Sequence, residues 1–157
     1  SQNIQLKQPE QSKPKETVSC HYKIPEETIK TDKNIILQWA EYAAMQSFHF
    51  DYTALEAELK ELKSCYTKKG WSEFNAAMHK SGNLNAIKTQ RLTMNSQIDG
   101  QARLIESQDN RWKIQLPLKV VYKNDRAQAS QFLDIQLNIV RKMNGELGIV
   151  QLIAILK

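Results

Sequence analysis

The residue types able to do chemistry are few in this chain, and they are scattered. His21, His49 and His79 lie far apart, and His49 shares a useful spacing with Asp51 alone. In an extended segment, side chains two positions apart point the same way. They can then act as a base with its orienting carboxylate, or hold a metal between them. The same spacing also simply ends helices. Together with Tyr42, the two residues would give the polar lining of a shielded site for proton transfer. Glu56, Glu58 and Glu61 read instead as one solvated helix face. There is no phosphate loop, dinucleotide fingerprint, paired-histidine helix motif or calcium loop, and five glycines leave little room for a phosphate cradle. These residues point away from an enzyme, and no catalytic residue, cofactor or metal is expected.

Cys20 and Cys65 are too few for a zinc site or a disulfide framework. Two readings stand: unrelated thiols, or one bridge closing over the 44 residues between them. Such a bridge is worth about 4 kcal/mol in loop entropy. Cys20 lies in a polar stretch where a small hydrophobe has little to pack against, which favours pairing. A bridge would imply an oxidising compartment.

The formal net charge is +5, distributed as +1 over residues 1–33, −3 over 34–67 and +7 over 68–157. Arg111, Lys113 and Lys119 share one strand face in the basic half, which opens a nucleic-acid reading. Binders of that kind concentrate their charge and often set aromatic platforms beside it. Here no basic run exceeds Lys68-Lys69. A solvated surface follows, and no nucleic-acid partner is expected.

The elements that must position these residues can be read from periodicity. With 157 residues, 41% of them apolar and 25% charged, the chain fits one soluble domain. It has no apolar run long enough to span a bilayer. Residues 1–30 form a polar tail or linker, and residues 31–157 a single α+β domain. Thr31 or Asp32 caps a helix carrying Ile36, Trp39, Ala40 and Ala43. Thr53-Ala-Leu-Glu56 reads as a capping box for a second helix. A third carries Trp71, Phe74 and Met78 and stops at Ser81-Gly82, and Asn83 caps a short fourth. The three tryptophans, Trp39, Trp71 and Trp112, read as packing residues.

Alternation then marks strands. One runs over Arg91–Ile98, with Asp99-Gly100 either a hairpin turn or a kink before Ala102–Ser107. Trp112–Tyr122 and Leu133–Ile139 each have one apolar and one polar face. The last strand, within Glu146–Leu156, breaks that rule. Leu147, Ile149, Ile153 and Ile155 fall on one face and Val150, Leu152, Ala154 and Leu156 on the other. A strand apolar on both sides must be covered on both, either by the protein itself or by a partner. The candidate contact residues are Ile149, Val150, Leu152, Ala154 and Leu156.

Helices followed by a curved antiparallel sheet suggest the cone-shaped, nuclear-transport-factor-like fold. Several local strings extend the likeness: Leu37-Gln38-Trp39-Ala40, Phe48-His49-Phe50-Asp51-Tyr52, Gly70-Trp71-x-x-Phe74, Ser81-Gly82-Asn83-Leu84 and Trp112-x-x-Gln115-Leu116-Pro117. In that order they resemble the periplasmic domain of the DotI/IcmL family of the Dot/Icm type IVB secretion system, over about residues 34–156. The resemblance implies a non-enzymatic part of an export machine in a Gram-negative envelope. It implies association with itself and with other channel proteins, and a membrane helix ahead of the domain. Membrane association is therefore expected only through an N-terminal anchor that is removed or absent here. A periplasmic address permits the Cys20–Cys65 bridge, although the pair is not a mark of the family.

Overall fold

Asp32 starts the helical half: its carboxylate accepts from the Asn34 amide and caps α1 (Lys33–Ser47). The computed structural model describes residues 18–157, so the part of the expected tail up to residue 17 lies outside the described residues. A short β1 (Phe50–Asp51) leads into α2 (Leu55–Leu62) and a 3-10 turn over Lys63–Cys65. Then come α3 (Lys68–Lys80) and α4 (Asn83–Thr89). Five strands complete the chain: β2 (Thr93–Ile98), β3 (Arg103–Gln108), β4 (Arg111–Lys123), β5 (Gln128–Arg141) and β6 (Leu147–Leu156). The chain is α+β, with its helices set on one curled antiparallel sheet.

Two caps differ from expectation. The Thr53–Glu56 capping box does not form: α2 starts after Ala54 without a side-chain cap, and Thr53 is bonded to Asp51 instead. Its Oδ1 accepts from both the Thr53 amide (2.8 Å) and the Thr53 hydroxyl (2.7 Å). Those bonds, the hydroxyl's foremost, hold the Asp51 carboxyl below its usual range. At α4 the capping position falls to Gly82, whose φ of +80° suits a residue without a side chain. The Asn83 amide there donates to the Ser81 hydroxyl.

The sheet runs β1-β2-β4-β5-β6, with β3 also paired to β4. Asp99-Gly100 is thus a kink rather than a hairpin, since β2 and β3 lie one after the other along the same edge of β4. The long strands β4 and β5 alternate as predicted. Trp112, Ile114, Leu116, Leu118, Val120, Leu133, Ile135, Leu137 and Ile139 face inward and are buried. Against them α1 lays Ile36, Trp39, Ala40, Ala43 and Ala44, all fully buried. Trp71 is half-buried and meets Tyr66 edge-on, at 5.6 Å between ring centroids. At the helix–sheet junction the buried Ser47 hydroxyl bonds the Ala43 carbonyl (2.8 Å) and the Tyr66 hydroxyl (2.7 Å). Burial pushes that phenol well above its ordinary range, with the Ser47 bond acting the other way.

Residues 18–30, read from sequence as part of a tail, are held on the core. Cys20 is joined to Cys65 and both are buried. The Trp39 indole donates to the Ser19 carbonyl at 3.0 Å, and Ile24, also buried, donates its amide to Gly145. The Arg141 guanidinium reaches back to the carbonyls of Thr28 (2.9 Å) and Pro25 (2.8 Å). The segment reads as polar in sequence because its anchors are backbone groups, one bridged cysteine and a few isolated apolar side chains such as Ile24, not an apolar stripe.

The last strand also departs from simple alternation. Asn138 pairs with Gln151 but Ile139 pairs with Ile149, so Val150 is an extra residue, a β-bulge. The bulge flips the faces. Leu147 and Ile149 share the inner face with Leu152, Ala154 and Leu156, while Gln151, Ile153 and Ile155 stand outside, opposite Asn138, Gln136 and Asp134. Beside the bulge, α3 crosses very close: a Cβ added at Gly70 would overlap the carbonyl oxygen of Ile149. Thr67 seals this contact, its amide donating to Ile149 O (3.0 Å) and its hydroxyl capping α3 through the Gly70 amide (3.0 Å).

Gly70→Ala is therefore expected to push α3 off β6 at a cost of about 1–3 kcal/mol, seen as a lower midpoint in urea with the slope retained. Replacing both cysteines, in the Cys20→Ser and Cys65→Ser double variant, is expected to cost about 2–4 kcal/mol. Limited proteolysis of that variant should cut first within residues 18–30; a cut elsewhere would show that the other anchors hold the segment without the bridge.

Candidate interaction surface

The polar trio that could have formed a site does not converge on one. Asp51 is turned to Thr53. The exposed His49 has Glu58 as its ionic neighbour, at 3.9 Å. Glu58 is not part of a freely solvated face: its Oε1 accepts from the Asp51 amide at 2.7 Å, bracing β1 against α2. Tyr42 and His49 border a hollow of about 110 Å³ together with Cys20, Gln46, Glu58, Glu61 and Leu62. Small-molecule sites run to about 300–1,000 Å³. The interior of the cone, where a ligand would otherwise lie, is filled by Trp39, Leu116, Leu118, Ile135 and Leu137. His21 stands at the surface between Glu61 (3.3 Å) and Glu146 (3.6 Å), and ties the segment around Cys20 to α2 and the β5–β6 turn.

The three basic residues of β4 do not make a stripe of one sign. Arg111, Lys113 and Lys119 do share the outer face. However, Lys113 pairs with both Glu106 on β3 and Asn138 on β5. The Lys119 ammonium lies over the Phe132 ring, 5.8 Å from its centroid. Strand pairing interleaves these cations with an acid, an amide and an aromatic ring.

Side chains gather differently at the far end of the sheet. Of the five candidate contact residues, Ile149 faces the core and is fully buried under α3, which removes it from any outer surface. Val150 occupies the bulge and is half-buried. Leu152 packs against the rim of the core, whereas Ala154 and Leu156 are exposed, Leu156 to 65%. Ile153 and Ile155, absent from the sequence-derived set, stand on the outer face at 37% and 57% exposure, and Phe132 joins them there. Alternation placed both isoleucines with Leu147 because the bulge is invisible to it. One signal was available: a skip at Val150 moves Gln151 out of an otherwise apolar face.

This end is also an open edge. Among the described residues the sheet has no further strand beyond β6; the isolated bridges on that side are Tyr66–Ile149 and, just ahead of β6, Lys23–Glu146. Thr67 and Gly70 cover the edge as far as Val150. Among the described residues nothing pairs with it from Gln151 to Leu156, where it is apolar on both faces and without the lysine, proline or bulge that usually blunts an edge strand.

A family model described as "Type-IV b secretion system, inner-membrane complex component", the DotI/IcmL model, matches residues 22–155. Among solved structures, the chain is similar to an IcmL-like type IV secretion system protein from Legionella pneumophila. The TM-score is 0.78 and the identity 21%, over 81% of this chain and 94% of that one. It is similar also to the periplasmic domain of DotI, with a TM-score of 0.75 and 25% identity over 80% of this chain and 96% of that one. A periplasmic fragment of TraM shares the fold at a TM-score of 0.73 and 17% identity, over 82% of this chain and all of that fragment (100%). No curated protein matches the sequence. The fold is the cone-shaped, nuclear-transport-factor-like arrangement of helices on a curled sheet.

Proposed function

The chain belongs to the DotI/IcmL family of type IVB secretion-system components, and on that premise we propose that it is a non-enzymatic assembly module working in the periplasm. It acts through protein–protein contacts with other proteins of the secretion channel and with itself. The observation that carries this reading is the open edge of β6, where Ile153, Ile155 and Leu156 are exposed beside Phe132. Apolar side chains on an unpaired strand edge favour association over isolation in water.

Two further features support it. The cone is packed with side chains rather than hollow, so binding falls to the outside of the molecule. The Cys20–Cys65 disulfide suits the oxidising periplasm. Among the described residues no helix is long and apolar enough to cross a membrane. Attachment to the inner membrane, in this reading, falls to a segment other than the helices described.

The test is mild cross-linking of the full-length protein in its native host, with partners identified by mass spectrometry. Envelope components of the secretion system are expected in the recovered complex. Ile155→Lys, which alters the outer face without touching the core, is expected to lower their yield by about tenfold, equivalent to about 1.4 kcal/mol, at an unchanged melting temperature. Recovery of the protein alone, in a soluble fraction, would overturn the assembly role.

A further inference from the structure

We infer that the bare half of β6 receives a second copy of itself, antiparallel, about a two-fold axis at Ala154. This rests on the assembly reading above and names the partner at the same edge.

Backbone direction comes first. The Lys157 amide donates to Phe132 O at 3.0 Å, so Lys157 faces β5. In an antiparallel ladder the direction alternates, and Ile155, Ile153 and Gln151 therefore also face β5. Leu152, Ala154 and Leu156 turn their N–H and C=O groups to the open side. Before the bulge, the outward carbonyl of Ile149 is already taken by Thr67. Three consecutive outward-facing residues thus stand ready for another strand, and such a strand needs its own outward set in register.

The segment meets that need itself. With the axis at Ala154, Ala154 lies opposite Ala154 of the second copy, Leu152 opposite Leu156, and Ile153 opposite Ile155. The inner row reads Leu-Ala-Leu in both directions, and it continues the row of Leu133, Ile135 and Leu137 on β5. The outer row sets isoleucine against isoleucine next to Phe132. Alanine is the smallest of these side chains and sits where two identical residues must meet.

Other registers do worse. An axis at Leu152 would carry the incoming strand into Thr67 and Gly70. With the axis at Ala154, Lys157 of the second copy falls opposite Gln151, short of the covered stretch.

Charge permits the same register. Lys157 is the one charged residue from Gln151 to Lys157, and it pairs with Asp134 at 3.6 Å. The two copies of Lys157 would lie about 20 Å apart, at roughly 3.3 Å per residue. That exceeds the screening length of about 8 Å at physiological salt. No like charges meet along the pairing.

The test uses the whole 157-residue chain. Its native cysteines are already joined to each other, so an added thiol reports on its own surroundings. Under mild oxidation Ala154→Cys is expected to form a covalent dimer, whereas Asn85→Cys, on the exposed side of α4, stays monomeric. Sedimentation of the unmodified protein should show a reversible dimer. Ala154→Pro removes one outward N–H without removing a bond to β5, and is expected to weaken that dimer at least tenfold with an unchanged circular dichroism spectrum. Should the proline variant fail to fold, the cysteine pair decides alone.

A monomer at all concentrations, with no covalent dimer from Ala154→Cys, would overturn the second copy as occupant. If channel components still co-purify in that case, the assembly role survives and another protein's strand takes the edge. If they do not, both readings fall. Cross-linking of Asn85→Cys in place of Ala154→Cys would overturn this register.

Discussion

The contact on which the arrangement depends is the close passage of α3 over the start of β6. Gly70 rests against the carbonyls of Ile149 and Val150, where a larger residue has no room. Its neighbour Thr67 bonds the Ile149 carbonyl and caps the helix in the same place. This one crossing divides the last strand into two. The first part is an interior element, buried to the last atom of Leu147 and Ile149. The second part emerges from under the helix with its edge unpaired among the described residues.

The bulge at Val150 sits at that division, and its consequence is chemical as well as geometric. Without it, Ile153 and Ile155 would continue the row of Leu147 and Ile149. With it, they stand on the outer face opposite Gln136 and Asp134, beside Phe132. An extra residue in a strand reverses every side chain that follows. The bare edge therefore carries apolar side chains on both sides, which is what a further strand would need for its own two faces.

A second set of ties holds the segment ahead of α1. The segment from Val18 to Lys30 has little apolar surface of its own, yet it is held by the Cys20–Cys65 bridge, the Trp39 indole and the Arg141 guanidinium. Each of these links it to a different element: the turn after α2, α1 and β5. Trp39 and its neighbours fill the cone, and the hollow beside His49 is small. The proposed contacts at the surface and the edge are in keeping with a family of secretion-complex components.

Local pattern was sufficient for most of the fold. A cap at Thr31 or Asp32, the stop at Ser81-Gly82, and the inward rows of β4 and β5 are all legible in the chain, because each depends on neighbours within a few residues or on a strict period. The absence of a motif with catalytic spacing was equally plain. Tertiary structure alone decided the rest. Thr53 is drawn to Asp51 rather than to the start of α2, and Glu58 folds back to hold β1. Ile149 left the surface, and Ile153 and Ile155 entered it, because a bulge depends on pairing between strands that the sequence of one strand does not encode. Why position 70 is glycine also became clear only when two backbones far apart in sequence were seen in contact.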